Sequence, residues 1–284
     1  MNGSDPTFFR RLAELLERGR PVATAQIVRV NGSIPNAVGA RLLVDSDGQL
    51  VAGTVGGGMI EHRTLAAARE ALANGESTLF TAKLTEQEAG GIGMMCGGQV
   101  DVFIEVVHPA PRLVLCGAGH INLALARMAH GLGLRVIVID DRADWANDAN
   151  FPHAEVIVAR PEATLGTLAL DAQSFVVVGT RDRDTEVIVA ASRTPVRYIG
   201  VVASKRKTIQ IVKHLAERGD VDLPALLPRF HGPIGLALGG RSPEAVALSI
   251  LAEVQAVRHD QQATAMRVTP EELLWFAAKK SSGS

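Results

Sequence analysis

Apolar positions recur along this chain at two spacings, and the change from one to the other marks its organisation. Near the N-terminus Phe8, Leu12, Leu15 and Leu16 fall on one helical face, which Asp5-Pro6 opens as cap and first helical residue and Gly19 stops. Short β-like runs follow at 22–30, 41–45, 50–55, 78–84 and 99–107. The last alternates, with Val100, Val102, Ile104 and Val106 toward one side and Gln99, Asp101 and Glu105 toward the other, polar side. Between these runs, residues 60–75 predict a helix, again ended by glycine. The half so described mixes strands and helices without a regular β-α-β beat.

The pattern changes at His108-Pro109-Ala110-Pro111, a short proline-bearing linker. Beyond it, near-continuous apolar runs at 112–116, 135–140, 155–159, 175–180 and 198–204 alternate with helix-compatible stretches. That rhythm predicts a parallel sheet covered on both faces. A closing helix starts at Ser242-Pro243-Glu244 and buries Val246, Ile250, Val254 and Val257. The fold class expected is α/β: an N-terminal mixed α+β domain over 1–109, a Rossmann-like parallel-sheet domain over 110–260, and a frayed tail over 261–284. Leu273, Leu274, Trp275 and Phe276 give that tail something to dock with.

Composition narrows the function classes. Hydrophobic residues are 47% and charged residues 21%, ordinary for a globular protein with a sizeable core. Lysine and arginine number 29 against 30 acids, so no global field gathers nucleic acid or a membrane surface. With a single tyrosine and 4% aromatics there is no stacking platform for bases. No stretch reaches the ~18 apolar residues of a membrane span, and the N-terminus lacks the order of a signal peptide. Two cysteines, Cys96 and Cys116, are too few for a disulfide framework and fit a reducing cytoplasm.

The first chemistry-bearing motif is Gly117-Ala118-Gly119-His120-Ile121-Asn122, set between an apolar strand and a helix. It has the form of the first turn of a Rossmann unit, with glycines for a tight turn and a helix N-terminus facing a pyrophosphate. The second strand ends at Asp140, 21 residues after Gly119, where an acid meets ribose hydroxyls. Asn122 stands at the third glycine position and suggests looser packing between helix and strand. Arg142 follows Asp140 by two residues and would suit a 2′-phosphate, so NAD and NADP both stay open. His120 is either a loop-shaping hydrogen-bonder or a participant beside the pyrophosphate.

Two further glycine loops lie in the first half. Gly53-Thr54-Val55-Gly56-Gly57-Gly58 precedes a helix and forms a nest of N–H donors for a phosphate or other anion, with Glu61 and His62 in the next turn. Gly90-Gly91-Ile92-Gly93-Met94-Met95-Cys96-Gly97-Gly98 leaves Cys96 with little side-chain cover, as a soft-metal ligand or sulfur acceptor, or as a gap filler. Cys116, at the end of a core strand, reads as a small buried hydrophobe.

Together these segments resemble the XdhC/CoxI family, accessory proteins that mature molybdenum hydroxylases such as xanthine dehydrogenase and carbon monoxide dehydrogenase. In the first half the likeness rests on Gly32-Ser33-Ile34-Pro35, on the loop at 53–58 continuing through Met59-Ile60-Glu61, and on Met95-Cys96-Gly97-Gly98. In the second it rests on Gly117-Ala118-Gly119-His120, Val138-Ile139-Asp140-Asp141-Arg142, Phe151-Pro152, Thr180-Arg181-Asp182, Tyr198-Ile199-Gly200, Pro233-Ile234-Gly235-Leu236, and Ser242-Pro243-Glu244 through Ala252-Glu253. The chain departs from the family at Asn36, at Asn122, at Arg183 where a histidine is common, and at Ala203-Ser204-Lys205-Arg206-Lys207. Such departures fit a divergent branch, such as the CoxF-like branch that serves carbon monoxide dehydrogenase, with a flavin dinucleotide as second ligand.

The resemblance implies a cytoplasmic homodimer that binds the molybdenum cofactor, as molybdopterin or its dinucleotide form, during sulfuration or metal assembly and insertion. Its partners would be the hydroxylase apoenzyme and sulfurase or cofactor-biosynthesis proteins. Carried over, Cys96 is the catalytic and metal-contacting thiol. Gly53, Gly56, Gly57, Gly58, Glu61, Gly97 and Gly98 line the same site. Gly117, Ala118, Gly119, His120, Asp140, Asp141, Arg142, Thr180, Arg181, Asp182 and Lys205 form a nucleotide pocket, with Lys205-Arg206-Lys207 either an anion clamp or a solvated loop. One alternative is an NAD(P)- or FAD-dependent oxidoreductase acting on a thiol or metal centre. Another is a scaffold with both pockets vestigial.

Overall fold

A computed structural model of the chain describes residues 6–32, 37–84, 98–268 and 270–271, which fall into two units, Met1–Ala110 and Pro111–Ser284. In the first unit, α1 (Pro6–Glu17) leads to β1 (Val22–Gly32), β2 (Arg41–Val44) and β3 (Leu50–Thr54), then α2 (Gly58–Asn74), β4 (Thr78–Leu84) and β5 (Gly98–Val107). The strands form one antiparallel sheet in the order β3-β2-β1-β5-β4.

Alternation decides which face each helix covers. Ala23, Ala25, Ile27, Leu42, Val44, Val100, Val102 and Ile104 share one face and bury against Ile60, Ala68 and Ala71 of α2. On the opposite face Val22 and Leu43 receive Phe8 of α1, with Leu12, Leu15 and Leu16 alongside. Each valine, leucine, isoleucine or phenylalanine side chain so removed from water contributes about 2 kcal/mol, and each alanine less. Helix α2 begins at Gly58, two residues ahead of the sequence expectation, because Gly57 at φ 72° serves as its N-cap; Gly75, at φ 71°, stops it as a left-handed C-cap. Asp101 lies on the side of β5 opposite Val100 and Val102, as the alternation predicts. It is 6% exposed there and accepts from Thr81 Oγ1 at 2.9 Å and Gln99 Nε2 at 3.0 Å. The Gln99 and Thr81 bonds hold its carboxyl below the ordinary range against the opposing effect of burial.

The second unit alternates strands and helices. Its elements are β6 (Arg112–Cys116), α3 (His120–His130), β7 (Arg135–Asp140), β8 (Ala154–Val158), α4 (Pro161–Thr164), β9 (Phe175–Val178), α5 (Asp184–Ser192), β10 (Tyr198–Val201), α6 (Lys205–Arg218), α7 (Leu223–Leu226), β11 (Phe230–His231) and α8 (Pro243–Arg258). All six strands are parallel, ordered β11-β10-β9-β6-β7-β8. This is the doubly wound Rossmann order, and its direction reverses between β6 and β9. Both faces are buried, as the apolar runs predict. Leu113, Leu115, Val136, Val138, Phe175 and Val177 pack under α3 and α8, while Val114, Cys116, Ile137, Ile139, Val176 and Val178 pack under α5 and α6. Cys116 is fully buried there, and burial raises its thiol well above the ordinary range.

The basic run 205–207 is not a loop. Ser204 caps α6 by accepting from the Lys207 N–H, so the run forms the helix's first turn. Strand β11 and the short helix α7 were not expected from the sequence, while α4 falls in the helix-compatible stretch between the runs at 155–159 and 175–180. No helix among the described residues is long and apolar enough to cross a membrane. Asp5 and the docking candidates Leu273, Leu274, Trp275 and Phe276 lie outside the described residues.

Candidate functional site

The sharpest geometry sits at the carboxyl ends of β6, β7 and β9, where the strand order reverses. Gly117 leaves β6 at φ 108°, donating its N–H to Ile139 O at 2.8 Å. A Cβ there would lie 2.4 Å from Gly179 O, so only glycine lets the two loops pass. Gly119 differs. Its φ of −73° suits any residue, and a Cβ would meet nothing within 4 Å. It caps α3 without a side-chain hydrogen bond, and no acid stands in the helix's first turn. The N-terminal N–H donors of α3 therefore open onto a space that the fold itself does not require.

Asn122 corrects the expectation of loose packing. It is 2% exposed, its Nδ2 donates to Gly117 O at 2.7 Å, and the amide lies where a Cβ on Gly179 would touch it. An amide fills the helix–strand junction that a third glycine would leave for backbone contact. Its Oδ1 is buried with no partner among the described residues.

Asp140 ends β7 at 5% exposure. Its Oδ2 accepts from the Ala118 N–H at 2.7 Å and from Arg142 Nη2 at 2.6 Å. Its Oδ1 accepts from the Arg142 N–H at 3.0 Å and Arg142 Nε at 2.8 Å. Burial acts to raise this carboxyl; the Arg142 guanidinium and the two backbone donors outweigh it and hold the group below the ordinary carboxylate range. The Arg142 guanidinium lies 5.2 Å over the Trp145 ring, and Trp145 meets His120 edge-on at 5.4 Å. A continuous set of contacts thus runs from the end of β7 back to the start of α3.

The facing wall comes from the loop after β9. Thr180 Oγ1 donates to Asp184 Oδ1 at 2.5 Å, and Asp184, 4% exposed, is matched by Lys207 Nζ at 2.5 Å from its Oδ2. Arg183 donates to Glu162 Oε1 at 2.7 Å and approaches Asp141 at 3.8 Å. Between the walls lies a cleft of about 210 Å³ lined by Gly117, 140–142, Pro161 and 180–183. The structure therefore brings Gly117, Asp140, Asp141, Arg142, Thr180, Arg181 and Asp182 to one cavity. Ala118, Gly119 and His120 stand at the adjoining turn. Lys205 is exposed on α6 and is not among the cleft's lining residues. Sequence reasoning missed Trp145, Glu162 and the role of Arg183, although Arg183 directly follows a flagged motif.

In the first unit, the glycines of 53–58 answer to the backbone. Gly53 carries φ 76° and a Cβ would lie 2.2 Å from Arg41 O; Gly56, Gly57 and Gly58 all have positive φ. Glu61 already uses part of this nest. Its Oε2 accepts from Thr54 Oγ1 and from the Val55 N–H at 3.3 Å, while the Gly56 N–H donates to Thr54 Oγ1 at 3.0 Å. At the start of α2, Gly57 supplies no side-chain cap to the first N–H groups, and among the described residues no side chain accepts from them. Gly98 opens β5; Cys96 and Gly97 lie outside the described residues. Among the described residues, no group of three or more His, Cys, Asp or Glu could hold a metal ion.

Comparison with known proteins gives this geometry a lineage. The chain matches the XdhC Rossmann domain over residues 113–254 and the XdhC and CoxI family over residues 15–83. It is 36% identical over 258 residues to the Escherichia coli (strain K12) protein called "Uncharacterized protein YqeB", covering 89% of this chain and 46% of that one. It is 32% identical over 163 residues to a Bacillus subtilis (strain 168) protein named as a probable subunit of xanthine dehydrogenase, covering 56% of this chain and 46% of that one. The chain thus spans about half the length of these curated relatives. A crystal structure of a xanthine dehydrogenase from Bacillus halodurans aligns at 20% identity and a TM-score of 0.49, covering 96% of this chain and 100% of that one. With a family match on each of its two units, the chain belongs to the XdhC and CoxI family.

Proposed function

We propose that this chain is a maturation factor for a molybdenum hydroxylase of the xanthine dehydrogenase or carbon monoxide dehydrogenase type. It binds the molybdenum cofactor while the metal centre is completed, then hands it to the apoenzyme, with no turnover of its own. The observation that carries this reading is family membership across both units, together with a relative whose name ties it to xanthine dehydrogenase.

The residues fit such a task in a limited and specific way. The open N–H groups at the start of α2 suit the terminal phosphate of a pterin. Glu61, held on Thr54 and the Val55 N–H, keeps the 53–58 loop in its glycine-only conformation. Cys96, as thiolate, is the soft donor suited to a sulfur-bearing molybdenum centre. When bound, the cofactor supplies the metal whose terminal ligand the mature hydroxylase needs; this chain's groups bind, orient and shield it.

The test is purification of the full chain from a host that makes molybdenum cofactor, with pterin quantified by mass spectrometry. Near-stoichiometric pterin, lost in Cys96→Ser while the variant stays folded, is the expected result. Absence of pterin, together with unchanged hydroxylase activation by Cys96→Ser on co-expression, would sink the carrier reading and leave a scaffold.

A second reading rests on its own observation, the space over Gly119 at the start of α3 beside the 140–142 and 180–183 walls. It assigns the Rossmann unit a dinucleotide, NAD(P) or FAD. The α3 N-terminus would take the pyrophosphate, and hydride chemistry would be the ligand's contribution when bound. This reading differs from the first in giving the chain a redox step of its own, and tight pterin binding without any redox turnover would sink it.

A further inference from the structure

We infer that the Rossmann cleft selects a dinucleotide bearing a 2′-phosphate on its adenosine ribose, with Arg142 as the residue that reads it. The inference rests on the dinucleotide reading given above and names the ligand class within it.

An acid at the end of the second Rossmann strand serves an unmodified ribose by accepting from its hydroxyls. That needs free lone pairs, and a carboxylate offers about four. Asp140 has none to spare. The Ala118 N–H, the Arg142 N–H, Arg142 Nε and Arg142 Nη2 occupy both oxygens at 2.6–3.0 Å. The Ala118 bond fixes the glycine turn itself, so only Arg142 could yield. A ribose hydroxyl would therefore have to displace a charge-assisted bidentate pair, the stronger kind of hydrogen bond.

The same contacts make the wall a good phosphate reader. Asp140 engages Nε and Nη2 of Arg142 and leaves Nη1 with no partner among the described residues. Trp145 supports the guanidinium plane from one side at 5.2 Å, so little rotamer freedom is left to lose on binding. The side chain keeps 29% of its surface, on the cleft. Arg181 lines the facing wall and is exposed. Of the nearby acids, Asp140 is held by Arg142 and Glu162 by Arg183, while Asp141, approached by Arg183 at 3.8 Å, and the exposed Asp182 also line the cleft with Arg142, Arg181 and Arg183. A group made only of acceptors and carrying about two negative charges matches this wall; two hydroxyls that need acceptors do not.

Isothermal titration of the full chain with NADP⁺, NAD⁺ and FAD tests the inference directly. NADP⁺ is expected to bind at least about tenfold tighter than either of the others, the worth of one charge-assisted contact. In Arg142→Ala, NADP⁺ should weaken by about tenfold or more, while NAD⁺ is unchanged or tighter because Asp140 is released. Arg142→Lys, which keeps the charge and loses the fork, should fall between and covers the case in which the alanine variant does not fold. NAD⁺ or FAD binding as tightly as NADP⁺ overturns the inference and leaves the dinucleotide reading standing. Binding of none of the three overturns both.

Discussion

Gly117 and Gly119 stand two residues apart, yet a methyl group added to each would meet opposite surroundings. At Gly117 it would press on Gly179 O at 2.4 Å from a backbone at φ 108°, so Gly117→Ala should cost roughly 3 kcal/mol, read as a lower urea midpoint. At Gly119 it would enter empty space from an ordinary backbone, so Gly119→Val should keep stability within about 1 kcal/mol. If the proposed dinucleotide site is right, binding by that variant should nevertheless drop at least about tenfold, because the branched side chain would stand where that reading places a pyrophosphate. Unchanged binding would show that the space serves no ligand. Asn122 adds the matching lesson in the opposite sense, since a larger residue closes a junction that glycine would leave thin.

At the scale of elements, α8 is tied to the far edge of the parallel sheet by one carboxylate. Glu253 Oε2 accepts from Tyr198 OH on β10 and from the Gly235 N–H at 2.9 Å, and its Oε1 pairs with His231 Nδ1 of β11 at 3.2 Å. Glu253→Ala strands a buried phenol and a backbone N–H, so a loss of roughly 2–4 kcal/mol is expected in chemical denaturation. Glu253→Gln, which still accepts from Tyr198, should lose less.

Strands such as 112–116 and 135–140 were legible because a run buried on both faces is apolar throughout, and the structure reproduces those bounds. Strand β11 was not, since two residues carry no period. The first turn of α6 hid behind its charges, although Ser204 and the spacing of Thr208, Ile211 and Leu215 were available as signals. For the candidate site, the turn at 117–119 and Asp140 follow from spacing alone. The pairing of Asp140 with Arg142 depends on how the chain bends after β7, and that of Arg183 with Glu162 joins residues 21 apart. Neither has a local signature.

For the whole molecule, acid sensitivity follows from the same groups. The carboxyls of Asp140 and Glu253 are both held below their ordinary values of 3.8 and 4.5, against burial and by their donors. A depressed carboxyl contributes stability that is fully present above its unfolded value and lost as pH falls through its folded value. Thermal stability should therefore be level from about pH 7 to pH 5 and decline below about pH 4. Asp140→Asn and Glu253→Gln should each start from a lower plateau and flatten that decline. A decline of equal depth in both variants would place the acid transition in other groups.

The placement of Trp145 has a practical consequence. Its indole carries Arg142 on one face and His120 at its edge, so it adjoins both the end of β7 and the start of α3. The chain has one other tryptophan, Trp275, in its C-terminal tail. Ultraviolet emission from Trp145 is therefore expected to change when a ligand enters the cleft beside Arg142, over a constant contribution from Trp275. Quenching of that emission, or energy transfer to an added reduced nicotinamide, that disappears in Trp145→Phe would report a ligand entering the cleft in real time.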